Sequence, residues 1–256
     1  MALVACSSSD GIAPKESSTV SLSFAAARAP AGASRSLGMA GASFSSAPGD
    51  TVVLTKVQFV LSHIELAQID SACTATASVD EENEKEHEGE CDELKLAPVL
   101  VDVPLTTSAK TAITATVPPG QYRSLHARID ALKAGSKQVG AAEFLAAHKD
   151  FEGTSLRVEG TYAGKPFVYT TDAKAEIFVP FNPPIVVTAS TAPNVTVAVD
   201  PSNWFKTDNG TTIDPTTVGQ GQPNNRAIAA NIRRSFRVFR DDDRDGRGDH
   251  ESEGQN

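Results

Sequence analysis

Short runs of alternating apolar and polar residues fill the middle of this chain. "STVSLSF" places Val20, Leu22 and Phe24 on one side of polar neighbours, the two-residue period of a half-buried strand. "VVLTKVQFVLSHIELAQI" is the longest such signal. Val57, Phe59 and Leu61 share a face, but Ile64 and Leu66 do not keep that parity. A one-residue shift near Ser62 and His63, a β-bulge, would restore the inward face. Further strands are expected at "APVLVDVPL", "AITATV", "QYRSLHARIDAL", "AEIFVPF", "PIVVTAS" and "NVTVAVD". In the third of these, Leu125, Ala127 and Ile129 face inward while His126, Arg128 and Asp130 face out. "SLRVEGTY" and "KPFVYTTD", joined by Ala163 and Gly164, read as a hairpin. The Gly-, Ala- and Ser-rich stretch 25–50 reads as a long loop.

Helical periodicity occurs twice, in "GAAEFLAAH" (140–148) and in "NRAIAANIRRSFRVFR" (225–240). In the second, Ile228, Ala229, Ile232, Phe236 and Phe239 fall on one helical face, and its arginines suit the negative end of a helix dipole. About ten short strands with two helices predict an all-β fold: an antiparallel β-sandwich with Greek-key, Ig-like or transthyretin-like connections. An open barrel is the runner-up. The segments are then a tether at 1–17, a sandwich at 18–205 with an acidic insertion at 74–93, a loop and C-terminal helix at 206–240, and an acidic tail at 241–256.

The charge is concentrated. Of a net −9, residues 80–93 carry −8 and residues 241–256 carry −5, leaving +4 elsewhere. A nucleic-acid partner is not expected of such a surface. No apolar run approaches the roughly 20 residues of a membrane-spanning helix.

The opening "LVAC" resembles the lipobox of bacterial lipoproteins, and a Ser-rich polar stretch follows it. The resemblance implies lipid on Cys6, a flexible tether behind it, and a place on the bacterial outer membrane or cell surface. In an exported protein the two remaining cysteines, Cys73 and Cys91, read as a disulfide. It would close a loop of roughly 19 residues and stabilise by about 3 kcal/mol. The alternative for this segment is a metal site made by His87, Cys91 and neighbouring carboxylates.

Near the C-terminus, "DDDRDGRGDHE" holds six acids in eleven residues. A helix followed by this run resembles the calcium loop of EF-hand and dockerin proteins and the aspartate-rich calcium repeats of thrombospondins. The resemblance implies a calcium cofactor held by Asp241, Asp243, Asp245, the Arg247 carbonyl and Asp249, with Glu251 close by, and Gly246 at the sharp bend. Position 12 is Ser252, where the pattern has a bidentate acid, so affinity should sit near that of extracellular modules, roughly 10⁻⁴ to 10⁻³ M. The other reading is a solvated acidic tail.

Remaining candidates are sparser. Trp204, beside Phe205 and an Asn-Gly turn, is a candidate for stacking on a sugar, or else a core anchor. Asp200, Asp208 and Asp214 are a second candidate cation set with irregular spacing. His63 and His126 could meet across a sheet. No Gly-x-Ser-x-Gly elbow or Gly-rich phosphate loop is present. Residues 18–249 also resemble a class of bacterial surface lipoproteins with a β-sandwich domain and no assigned activity, on the strength of "TKVQFVLSHIEL", "CDELKLAPVLVDVPL" and "VPPGQY". Together these imply an exported, lipid-anchored, non-catalytic binding or structural protein with a calcium-stabilised C-terminal loop. The alternatives are a carbohydrate-binding module or adhesin, and an extracellular hydrolase. Partners would be the membrane through Cys6, a glycan, or further copies added through exposed strands into an oligomer or fibre.

Overall fold

The computed structural model describes residues 18–27, 35–38, 41–44, 51–69, 93–105, 109–219, 222 and 224–244, with the backbone alone at 35–38, 41–44, 93 and 94. The described strands are β1 (Ser18–Ala26), β2 (Arg35–Gly38), β3 (Gly41–Phe44), β4 (Val52–Gln68), β5 (Glu93–Leu96), β6 (Val99–Asp102), β7 (Lys110–Val117), β8 (Gly120–Ile129), β9 (Leu156–Tyr162), β10 (Lys165–Thr171), β11 (Ala175–Val187), β12 (Asn194–Val199) and β13 (Phe236–Arg240). The helices are α1 (Ala141–Ala147) and α2 (Asn225–Arg233). The fold is an all-β sandwich.

The smaller sheet runs β13-β12-β1-β7. Its β1–β12 pair is parallel, a departure from the all-antiparallel expectation. The larger sheet is organised on β4, which is long enough to pair with several partners along each edge. One edge carries β9 and then β8; the other carries β3, β6 and β5 in turn. The anticipated bulge is present: the register with β8 shifts between Ser62 and Glu65, and His63 has a φ of 46°. A second shift, at Thr55 against β9, accompanies it. These two insertions let Val52, Leu54, Val57, Phe59, Leu61, Ile64 and Leu66 all point into the core. At the Thr55 shift β9 approaches so closely that a Cβ on Gly160 would overlap the Val53 carbonyl, which explains a glycine inside a strand.

The sheets meet through Phe24 of β1 and Phe59 of β4, with ring centroids 5.1 Å apart, and through Phe59 and Phe236 of β13 at 5.9 Å, both edge-to-face. On the outer face of the larger sheet, Val60 joins Leu132, Ala141, Phe144 and Phe151 in a second cluster under α1. The 163–164 hairpin forms as expected, with Ala163 and Gly164 both at positive φ, as a tight two-residue turn requires.

Three expectations are corrected. The helix does not run to residue 240; it ends at Arg233, and residues 236–240 form β13. "FRVFR" alternates, the free edge of β12 supplies ladder partners for it, and tertiary pairing outweighs helical propensity. The sandwich therefore includes a strand from beyond residue 205. Residues 25–50 are not wholly loop, since β2 and β3 lie within them. "AEIFVPF" and "PIVVTAS" are not separate strands; they form one strand, β11, whose register against β8 breaks between Pro180 and Ile185.

Candidate functional site

The start of the acidic run is fastened to the smaller sheet. Asn194, fully buried at the head of β12, is the node. Its backbone oxygen accepts from Asp241 N at 3.1 Å, and its backbone N–H donates to Asp242 Oδ1 at 3.0 Å. Its side-chain Nδ2 donates to the Asp241 carbonyl at 2.7 Å and to Thr196 Oγ1 at 3.1 Å. Its Oδ1 accepts from Ser23 Oγ at 2.7 Å. A buried amide is tolerated when satisfied in this way. Asp242 is neutralised by Arg240, whose Nε and Nη2 reach Oδ2 at 2.8 and 2.6 Å. The chain then turns: Arg244 N donates to the Asp241 carbonyl at 3.2 Å, and Arg244 has a φ of 60°.

Of the proposed calcium ligands, Asp241 is fully buried and Asp243 exposed. Asp245, Arg247, Asp249 and Glu251 lie outside the described residues, as do Cys6, Cys73, His87 and Cys91. Among the described residues, no group of three or more His, Cys, Asp or Glu side chains converges on a metal position. A strand, not a helix, delivers the acidic run, which differs from the helix-led EF-hand arrangement.

Trp204 is fully buried, so its ring does not stack on a sugar arriving from solvent. A 3₁₀ turn at Pro201–Asn203, capped by Asp200 accepting from Ser202 N at 3.0 Å, swings Trp204 and Phe205 inward. Phe205 meets Phe167 and Tyr169 edge-on, each at 5.5 Å. Asn231 of α2 holds the loop from above, its Nδ2 donating to the carbonyls of Asn203 and Lys206, both at 2.8 Å. Burial pushes the Tyr169 hydroxyl up to about 12, and it donates to Asn225 Oδ1 at 2.6 Å. The indole N–H of Trp204 has no hydrogen-bond partner among the described residues.

That orphan yields a test. Trp204→Phe removes a buried donor left unsatisfied, which relieves about 1–3 kcal/mol and offsets the void it creates, at about 24 cal/mol per Å³. Its stability, read by urea unfolding with circular dichroism, is expected within about 1 kcal/mol of wild type, whereas Trp204→Ala should cost about 3–5 kcal/mol. A loss near 3 kcal/mol for the Phe variant would show that the N–H is engaged.

Two recesses flank the C-terminal segment. The larger, a groove of about 460 Å³, lies between β11 and β13. Ile177, Val179, Phe181, Phe236 and Val238 give it an apolar lining, and Glu176, Asn182, Arg233 and Arg240 add polar groups. The smaller, about 390 Å³, is lined by polar side chains that include Lys206, Asp208, Arg234 and Arg237. Of the arginines in 225–240, Arg233 and Arg240 line the larger recess and Arg234 and Arg237 the smaller.

Asp200 and Asp214 cap 3₁₀ turns and do not form a cation site with Asp208. His63 lines a separate recess with Asp130 and Lys174. His126 instead lies 3.8 Å from Glu65 and edge-on to Phe178, so the two histidines occupy different surroundings. No family model, curated protein or solved structure matches this chain.

Proposed function

We propose that this chain is an exported, lipid-anchored surface protein that acts by binding, without catalysis of its own, and that calcium stiffens its C-terminal loop. The observation that carries the binding reading is the groove between β11 and β13. It is a recess of about 460 Å³ with an apolar lining and a few polar groups, the usual make-up of a ligand site. Its two walls are strands from different sheets, so a ligand there would bridge the open side of the sandwich. A segment with an apolar body and an acidic group suits the lining and the Arg233 side chain.

Calcium enters on the aspartate spacing, supported by the anchoring of the run's first residues. With Asp241 and Asp242 tied to Asn194 and Arg240, an ion held by the residues beyond them would extend that fixed corner. Disulfide formation between Cys73 and Cys91 belongs to the same proposal. Assembly by strand addition is less favoured. Pro180, Pro183 and Pro184 offer no N–H along β11, and Arg237 and Arg240 charge the edge of β13. Both devices blunt strand edges.

The anchor is tested in the bacterium. Feeding an alkyne-tagged fatty acid is expected to label the protein in the membrane fraction, and Cys6→Ser should lose the label and leave the membrane. Equal labelling of the two proteins would overturn the anchor.

A further inference from the structure

The smaller cleft carries an inference of its own. Lys206, Arg234 and Arg237 line it, and their charged groups form no ion pair among the described residues. Three cations gathered on one recess repel one another, and an anion relieves that repulsion. The same lining holds hydrogen-bonding groups that a bare anion would not use. Asp208 offers a carboxylate, and Asn231 adds an Oδ1 acceptor while its Nδ2 is committed to the loop carbonyls.

The wall is preorganised. Thr207 N donates to the Thr211 carbonyl at 2.9 Å, Gly210 N to the Thr207 carbonyl at 2.9 Å, and Gly210 takes the left-handed conformation that this turn needs. Among the described residues no aromatic side chain lines the cleft, so none of them would stack a base or another flat ring. At about 390 Å³ the recess falls within the roughly 300–1,000 Å³ of small-molecule sites.

We infer that this cleft binds an acidic sugar, a uronate unit of a polysaccharide. The uronate carboxylate lies on Arg234 and Arg237, which present planar donor forks suited to it, and the ring hydroxyls donate to Asp208 and Asn231. A small inorganic anion would gain the cations but meet the carboxylates of Asp200 and Asp208, so it binds less well. The inference rests on the reading of the chain as a binding protein. It is independent of the lipid anchor, the calcium loop and the β11–β13 groove, so its failure leaves those to their own tests.

The test is calorimetric titration of the full chain with trigalacturonate, and separately with neutral galactotriose, hexaglutamate and inorganic phosphate. Saturable binding is expected for trigalacturonate alone or most tightly. It should weaken severalfold as sodium chloride rises from about 0.05 to about 0.5 M, because exposed charges are screened over that range. Arg234→Gln with Arg237→Gln should weaken it at least about tenfold, the scale of losing charged hydrogen bonds. Both arginines are exposed, so the fold survives their replacement. Arg226→Gln removes the same charge at an exposed position that lines neither recess and should leave affinity unchanged. Asp208→Asn should weaken trigalacturonate and strengthen phosphate.

Four results would overturn the proposal: no binding of any probe, equal binding of the neutral trisaccharide, tighter binding of hexaglutamate or phosphate than of the uronate, or an unaffected double variant.

Discussion

Phe59→Ala is expected to destabilise the protein by about 3–5 kcal/mol, a large share of the roughly 5–15 kcal/mol that holds a domain folded. Phe59 is fully buried, and its ring touches both Phe24 and Phe236 edge-on. It therefore ties β4 of the larger sheet to both the first and the last strands of the smaller one. Removing it opens a void where three strands meet and discards two aromatic pairs, each contributing about 0.5–1.5 kcal/mol beyond area burial. The neighbours sit on paired strands and cannot collapse freely into the space. Phe178→Ala is the matched control. Phe178 is 62% exposed, and its loss should stay within about 0.5 kcal/mol. Urea unfolding followed by circular dichroism separates the two. A loss under about 1 kcal/mol at Phe59 would mean that the sheets do not pack as described.

Asn194→Ala is expected to cost about 2–4 kcal/mol, since the side chain makes three hydrogen bonds within buried surroundings and its removal takes a partner from Thr196 and leaves Ser23 with Thr111 alone. Its second effect is local. The Asp241 carbonyl loses its hydrogen bond from Nδ2, so the corner leading into the acidic run loosens. Amide hydrogen exchange at residues 241–244 should quicken by more than exchange at Val197, in the middle of β12. A uniform increase across both regions would show that Asn194 supports the sheet generally and does not anchor the tail.

Much of the fold was readable because strand periodicity is local. The bulge at His63 announced itself as a parity change between Leu61 and Ile64, with polar Ser62 and His63 between them. Its twin at Thr55 gave no such notice, because Val52 and Val53 are adjacent and either could face in. β1 looked half-exposed, since Ser21 and Ser23 alternate with apolar residues. Both serines are buried, bonded to hydroxyls and amides across the sheet, and no one-dimensional pattern separates a buried serine from a wet one. The C-terminal stretch misled because Ile228, Ile232, Phe236 and Phe239 satisfy a helical stripe as well as they satisfy a helix followed by a strand. Only the unpaired edge of β12 decides between them, and that edge is a fact of tertiary structure.

The candidate sites follow the same division. That arginines cluster before residue 241 is plain in the sequence. That Arg234 and Arg237 face one recess while Arg233 and Arg240 face another depends on where helix gives way to strand. Trp204 as core anchor was one of two readings, and burial selects it. Asn194 gave no signal, because an asparagine before a valine-rich run reads as the end of a turn.

The proposed calcium loop would hold a cation beyond the corner that Asn194 fastens at Asp241 and Asp242. Calorimetric titration with calcium tests this most directly, comparing wild type with Asp243→Ala plus Asp245→Ala and leaving the buried Asp241 intact. Wild type is predicted to bind with a dissociation constant of roughly 10⁻⁴ to 10⁻³ M, and the double variant to show no saturable heat. Identical traces for the two proteins, whether both flat or both saturating, would contradict it.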